Sequence, residues 1–154
     1  MKKIIAFVLV VLMLFSMVAC SNKTSILTHT FKSQDEEIVF SIDTDKSMEF
    51  STDEHPVKFY YKGEMVGEGS FYVIDYYQSF TENYNTSYNK IYNRDANGTL
   101  YTVYENKDES RGASVVAIIN YGSEKSFMLI TSQSSAENLK TIIENINIKL
   151  QTKK

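Results

Sequence analysis

The sequence predicts an α+β domain, an antiparallel β-sheet with an amphipathic helix near the C-terminus packed on it and a candidate second helical cover. Three observations carry this. Beyond Cys20 the chain holds 19 Ile plus Val against 5 Leu and 4 Ala, with 11 Tyr and 7 Phe, and β-branched and aromatic residues suit a pleated, half-buried surface. Several short runs alternate apolar and polar residues, the period of a strand with one covered face. Near the end, Leu139, Ile142, Ile143 and Ile146 recur at intervals of three and four, the period of a helix with one apolar stripe.

The elements follow in order. Residues 38–42 form the first alternating run. In 57–62, Val57, Phe59 and Tyr61 point one way and Lys58, Tyr60 and Lys62 the other. Gly63, Gly67 and Gly69 lie between that run and the next, 71–77, and are expected to supply a hairpin connection. Over 79–93, Phe80, Tyr84, Tyr88 and Ile91 fall on one helical face, which makes this stretch the candidate second cover, although its four Asn are poor interior helix residues. Asn97-Gly98 is a type I′ turn signal before a strand over 100–105. Residues 113–119 and 126–130 are nearly continuous in apolar residues and are expected to be strands buried on both faces, paired antiparallel through the short loop 121–125. Ser134 and Glu137 stand at capping-box spacing before the final helix.

The chain has 154 residues and a formal net charge of −3. The length suits one domain, and no internal repeat or Pro- or Gly-rich segment divides it. Residues 1–19 carry Lys2 and Lys3, then a run from Ile4 to Ala19 interrupted only by Ser16. That is a signal-peptide pattern, and at ~1.5 Å per residue it is short of a ~30 Å hydrocarbon core. It ends Met17, Val18, Ala19, Cys20, which resembles the lipobox of bacterial lipoproteins. The resemblance implies that the Cys20 thiol receives a diacylglyceryl group and that the peptide is cut just before it. Met17 departs from the Leu usual in that family. The competing expectation is ordinary secretion with cleavage after Ser21. Residues 20–30 are expected to be the lipidated Cys and a tether, and 31–154 the single domain. The location implied is the extracytoplasmic face of the cell membrane, or the outer membrane in a two-membrane cell, where Ser21 resembles the sorting pattern. The order of elements, from Phe40-Ser41-Ile42 through hairpins to LKTIIENINIKL, loosely resembles the PsbP-like sandwich fold and carries no functional residue with it.

Function is bounded more by what is missing than by what is present. One cysteine cannot form an internal disulfide, and an acidic balance excludes the basic face that duplex nucleic acid requires. There is no CxxC, HExxH, GxSxG or SxxK motif, and GEMVGEG lacks the Lys-Ser/Thr of a phosphate loop. His29, placed in the tether, and His55, before the only proline, could serve as a general base only with a serine from elsewhere. Asp43, Asp45, Ser47, Glu49 and Glu54 occupy positions 1, 3, 5, 7 and 12 of a calcium-loop window, but position 6 is Met48 where the turn wants Gly. No cofactor and no metal is therefore expected. All 11 tyrosines lie between Tyr60 and Tyr121, and exposed tyrosines are good contact residues for glycans or proteins. Tyr60 and Tyr104, each on an alternating strand, are the candidate binding residues. The expectation is a membrane-anchored, non-catalytic binding or accessory module with an envelope glycan or protein partner. The alternative is a small extracytoplasmic hydrolase with an unrecognised site.

Overall fold

The computed structural model describes residues 25–53, 55–106, 108 and 115–151. The leader 1–19, Cys20 and Glu54 lie outside the described residues. In chain order the elements are β1 (Ile26–Ser33), β2 (Glu36–Asp43), a 3-10 turn (Thr44–Lys46), β3 (Met48–Phe50), β4 (Val57–Tyr61) and β5 (Glu64–Val73). A second 3-10 turn (Ile74–Tyr76) leads into helix α1 (Tyr77–Ser87), followed by β6 (Tyr88–Ala96), β7 (Thr99–Asn106), β8 (Val115–Asn120) and β9 (Ser126–Ser132). Helix α2 (Ala136–Asn145) and β10 (Asn147–Leu150) close the described chain.

The strands form two antiparallel sheets. One has three strands in the order β1-β2-β10, the other seven in the order β3-β4-β5-β9-β8-β7-β6. The molecule is thus mostly antiparallel β-sheet with two short helices, a mixed α+β sandwich. The small sheet and α2 cover one face of the large sheet, where Phe31, Ile38, Phe40 and Ile42 meet Phe59, Val103, Ala117, Ile119 and Ile130, with Leu139, Ile142 and Ile143 from α2. The opposite face carries Tyr104, Val116, Ile118, Phe127 and Leu129, against which the rings of α1 pack. Alternation along β8 and β9 explains why their sequence is apolar throughout: successive side chains enter two different cores.

Three two-residue hairpin turns set the registers. Gln34-Asp35, Lys62-Gly63 and Asn97-Gly98 all have positive φ at both positions, the type I′ geometry whose twist matches paired strands. The first has no glycine, so nothing in composition marked it. Of the three glycines expected in one connection, only Gly63 is in the turn. Gly67 and Gly69 lie inside β5, where groups of the flanking strands β4 and β9 crowd against it. A Cβ on Gly69 would stand 2.5 Å from Met128 Cε and 2.9 Å from Phe59 Cε2, and one on Gly67 2.8 Å from the Thr131 carbonyl.

Other boundaries also move. The expected tether is strand from Ile26 onward, with Ile26 to Ser33 paired residue by residue to β2, because Leu27, His29 and Phe31 alternate toward the core. The expected strand 71–77 stops at Val73, and the candidate helix 79–93 is helix only to Ser87. Tyr88 and Ile91 belong to β6, as the poor helix propensity of the Asn-rich stretch allows. The cap of α2 is Ser135 rather than Ser134: its Oγ accepts the Asn138 N–H at 3.3 Å, while Ser134 Oγ accepts from the Asn138 side-chain amide. Helix α2 does not close the chain. Ile146, buried and extended, turns it into β10, which pairs with β2.

A polar clamp holds that last segment to the large sheet. The Arg94 guanidinium of β6 donates to the carbonyls of Glu144 and Ile146, both at 2.7 Å, and lies 4.3 Å over the Tyr101 ring. Thr99 Oγ1 donates to the Ile148 carbonyl at 2.7 Å, and the Ile148 N–H donates to the Tyr101 hydroxyl at 2.8 Å. The Arg94 bonds satisfy carbonyls at the end of α2 that no helical partner reaches, and those to Ile148 tie β10 to the large sheet.

Candidate functional site

An aromatic layer separates α1 from the large sheet. Tyr72 of β5 and Phe127 of β9 are register partners and stack at 5.8 Å. Phe80 lies 5.2 Å from the first ring and 5.8 Å from the second, and Tyr77 meets Phe127 edge-on at 5.4 Å. Further along, Tyr84 stacks on Tyr104 at 5.8 Å and meets Tyr88 at 4.9 Å. Positions 77, 80 and 84 share one helical face by their three- and four-residue spacing. Burial pushes the hydroxyl pKa values of Tyr84 and Tyr104 upward, so both are neutral hydrogen-bonding groups at ordinary pH.

The layer comes to the surface where β5 ends. Val73 is 39 % exposed and Tyr76 58 % exposed. Tyr76 sits on a turn pinned by the Ile74 N–H donating to the Lys125 carbonyl at 2.8 Å, whereas Val73, two residues from Phe71, ends β5 on the small-sheet side. Tyr76 is the one tyrosine of the eleven in the fully exposed class, and the half-buried Tyr72, Ile74 and Tyr77 of the layer flank it in sequence. It was hidden in the sequence because the run 71–77 reads as a single strand. The available signal was Asp75, which interrupts that run.

The two tyrosines singled out from the sequence fare differently. Tyr104 is 1 % exposed, sealed under Tyr84 with its hydroxyl 3.2 Å from Asn85 Oδ1, so it is a core residue and not a contact residue. The physical reason is its register on a central strand whose second face is covered by α1. Tyr60 is half-buried in a cross-strand row with Glu49 and Met65, on the face opposite the buried Val57 and Phe59. Tyr101 and Tyr121 are also core.

Among the described residues the histidines and serines are not assembled for nucleophilic chemistry. His29 lies on β1 with its ring 4.6 Å from Phe31, and His55 meets the same ring at 6.0 Å. Lys32, His55, Pro56, Ser70 and Phe71 line one shallow recess. The register of β5 nevertheless turns the Ser70 side chain away from it: Ser70 pairs with Leu129 of the α1-side core, while Phe71 packs toward the small sheet.

A second polar group serves the fold. Ser123 Oγ donates to Glu36 Oε2 and accepts the N–H groups of Lys125 and Ser126, each at 2.9 Å. Ser126 Oγ lies 2.6 Å from the Tyr121 hydroxyl. The Tyr121 hydroxyl is pushed up to about 12, chiefly by burial, which the Ser126 bond opposes and the Glu36 carboxylate reinforces. This network joins the β8–β9 loop to the β1–β2 hairpin.

Among the described residues the acidic window does not converge either. Asp43 Oδ1 accepts the Asp45 N–H, Asp45 Oδ2 accepts the Ser25 N–H, and Glu49 projects from β3. Among the described residues no group of three His, Cys, Asp or Glu side chains is placed to hold a metal ion.

The fold and this surface define a class: an antiparallel α+β sandwich with an aromatic layer that emerges at one end. Compared with family models, with curated proteins and with solved structures, the chain finds no match.

Proposed function

We propose that this chain is a lipid-anchored extracytoplasmic protein whose folded domain acts as a non-catalytic binding or accessory module. The observation that carries the binding reading is Tyr76, an exposed ring on a pinned turn that leads into the ring layer, with Val73 exposed at the end of β5 on the small-sheet side. Such a surface loses little side-chain entropy on contact, and its hydroxyls can meet the polar groups of an envelope glycan or protein. The anchor reading is supported by Cys20 behind the apolar leader, and two acyl chains at ~0.8 kcal/mol per buried methylene suffice for stable residence. The succession of hairpins, α2 and a short last strand supports placing the fold with the PsbP-like sandwiches.

The test is capture of a partner by the purified protein, on a glycan array and by crosslinking in solubilised membranes. Tyr76→Ala and Val73→Ser, both at exposed positions, should leave the melting temperature within about a degree or two while weakening capture. Undiminished capture by the double variant refutes the surface. The hydrolase alternative rests on the recess containing His55 and Lys32. Turnover of an envelope ester or amide that is abolished by His55→Ala would establish it instead.

A further inference from the structure

Ser25, the first described residue, stands close in sequence to the proposed anchor. Ser25 is five residues beyond Cys20, so at ~3.3–3.6 Å per residue the lipidated sulfur stands at most about 18 Å from it along the chain. Ser25 is itself fixed. Its N–H donates to Asp45 Oδ2 at 3.0 Å, and its carbonyl accepts the Thr44 N–H at 2.8 Å and the Thr44 hydroxyl at 2.7 Å. From there a ladder of backbone bonds crosses the end of the molecule: the Ser47 N–H donates to the Thr44 carbonyl at 2.9 Å and the Lys62 N–H to the Ser47 carbonyl at 2.7 Å. The start of β1, the Thr44–Lys46 turn and the Lys62-Gly63 turn therefore form one pole.

Four large apolar side chains are exposed among the described residues, and they divide between two poles. Ile26, 60 % exposed on the outer face of the small sheet, and Met65, 52 % exposed on the outer face of the large sheet, flank the Ser25 pole from its two sides. Val73, at the other end of β5, and Tyr76, in the turn just beyond it, are about 26 Å or more from Met65 at the ~3.3 Å rise of a strand.

We propose that the Ser25 pole is seated on the phospholipid surface, with Ile26 and Met65 at headgroup level, and that the Tyr76 pole faces outward. This rests on Cys20 carrying the anchor. The carboxylates of Asp43, Asp45, Glu49 and Glu64 outnumber Lys46 and Lys62 at the seated pole, so attraction to anionic lipid is not what holds it. The short covalent reach and the two apolar side chains are.

The chain has no tryptophan, so single reporters read the geometry directly. Full-length, membrane-extracted protein carrying Ile26→Trp, Met65→Trp or Tyr76→Trp is reconstituted in phosphatidylcholine vesicles containing brominated acyl chains. The first two reporters should lose most of their emission and the third keep it, with no relief at high salt. Fifteen Gly/Ser residues inserted after Ser21 should leave the protein vesicle-bound but abolish the difference between the poles. A vesicle-bound, lipidated protein whose Tyr76→Trp is quenched as strongly as Ile26→Trp overturns the orientation alone. Mass spectrometry of the N-terminal peptide separates the other failure: an unmodified peptide removes the anchor, and the seating with it.

Discussion

Replacing Tyr104 tests the assignment of the aromatic layer as core. The side chain is 1 % exposed, stacked on Tyr84 and enclosed with Val116, Ile118, Phe127 and Leu129. Truncating a buried aromatic to Ala costs ~3–5 kcal/mol through lost transfer energy and a cavity. Over the roughly 127 residues of the folded region, at ~2.1 cal/mol/K per residue, the unfolding entropy is about 0.27 kcal/mol/K, so ~4 kcal/mol lowers the melting temperature by ~15 °C. Tyr104→Phe keeps the ring and loses only the bond to Asn85, whose own side chain is exposed. A neutral bond of this kind is worth ~1 kcal/mol, or ~4 °C. Calorimetry of the two variants beside the parent separates them. If Tyr104→Ala melted within a degree or two of the parent but lost partner capture, the ring would be a contact residue and the layer assignment would be wrong.

Two further outcomes follow from the polar clamps. Arg94→Ala removes two charged hydrogen bonds to the end of α2 and the cover on Tyr101, and should cost roughly 2–4 kcal/mol; Arg94→Lys should recover only part of this in urea unfolding, since an ammonium lacks the planar fork. Tyr121, raised to about 12 by burial, is ionised more readily in the unfolded chain. Stability is therefore intact below pH ~10 and falls as pH rises from ~10 through ~12. Tyr121→Phe should flatten that loss in an alkaline titration followed by tyrosinate absorbance and circular dichroism.

The parts of the fold legible in the sequence are those where one local rule acts alone. Val57, Lys58 and Phe59 alternate because one face is covered, Asn97-Gly98 turns because both residues accept positive φ, and β8 and β9 are apolar throughout because they feed two cores. What stayed hidden depends on which segments pair or pack together, which no single run of residues states. Gln34-Asp35 turns because Ser33 and Glu36 pair across it, Gly69 is required by Met128 and Phe59, and β1 is a strand because β2 lies beside it. The same holds for the candidate surface. A Tyr on an alternating strand is exposed only if nothing covers that face, and α1 covers Tyr104 while leaving Tyr76 bare. Arg94 carried no signal, since its acceptors are backbone carbonyls some fifty positions away.

The two helices contrast in a way that bears on how the aromatic surface behaves. Helix α2 has a side-chain cap from Ser135 and buries Leu139, Ile142 and Ile143 completely. Helix α1 has no side-chain cap, its first flanking residue Tyr76 is already in helical conformation, none of its residues is fully buried, and Asn83 and Asn85 occupy its interior. An absent cap costs ~1 kcal/mol and each interior Asn up to ~0.7 kcal/mol relative to Ala. What holds α1 is therefore the ring contacts of Tyr77, Phe80 and Tyr84 and the Tyr104–Asn85 bond. Local opening free energy follows such contacts, and it is lowest where buried apolar area is least. Amides of α1 should exchange through openings well below the global unfolding free energy, while those of α2 exchange only with the whole domain. Opening of α1 would uncover Phe127 and Tyr104 and free Tyr76 at its first flanking position, so a ligand held by Tyr76 should raise protection along α1 before it changes α2. Native-state hydrogen exchange read by NMR distinguishes these cases, and equal protection of the two helices in the free protein would contradict the assignment of α1 as the weakly held cover.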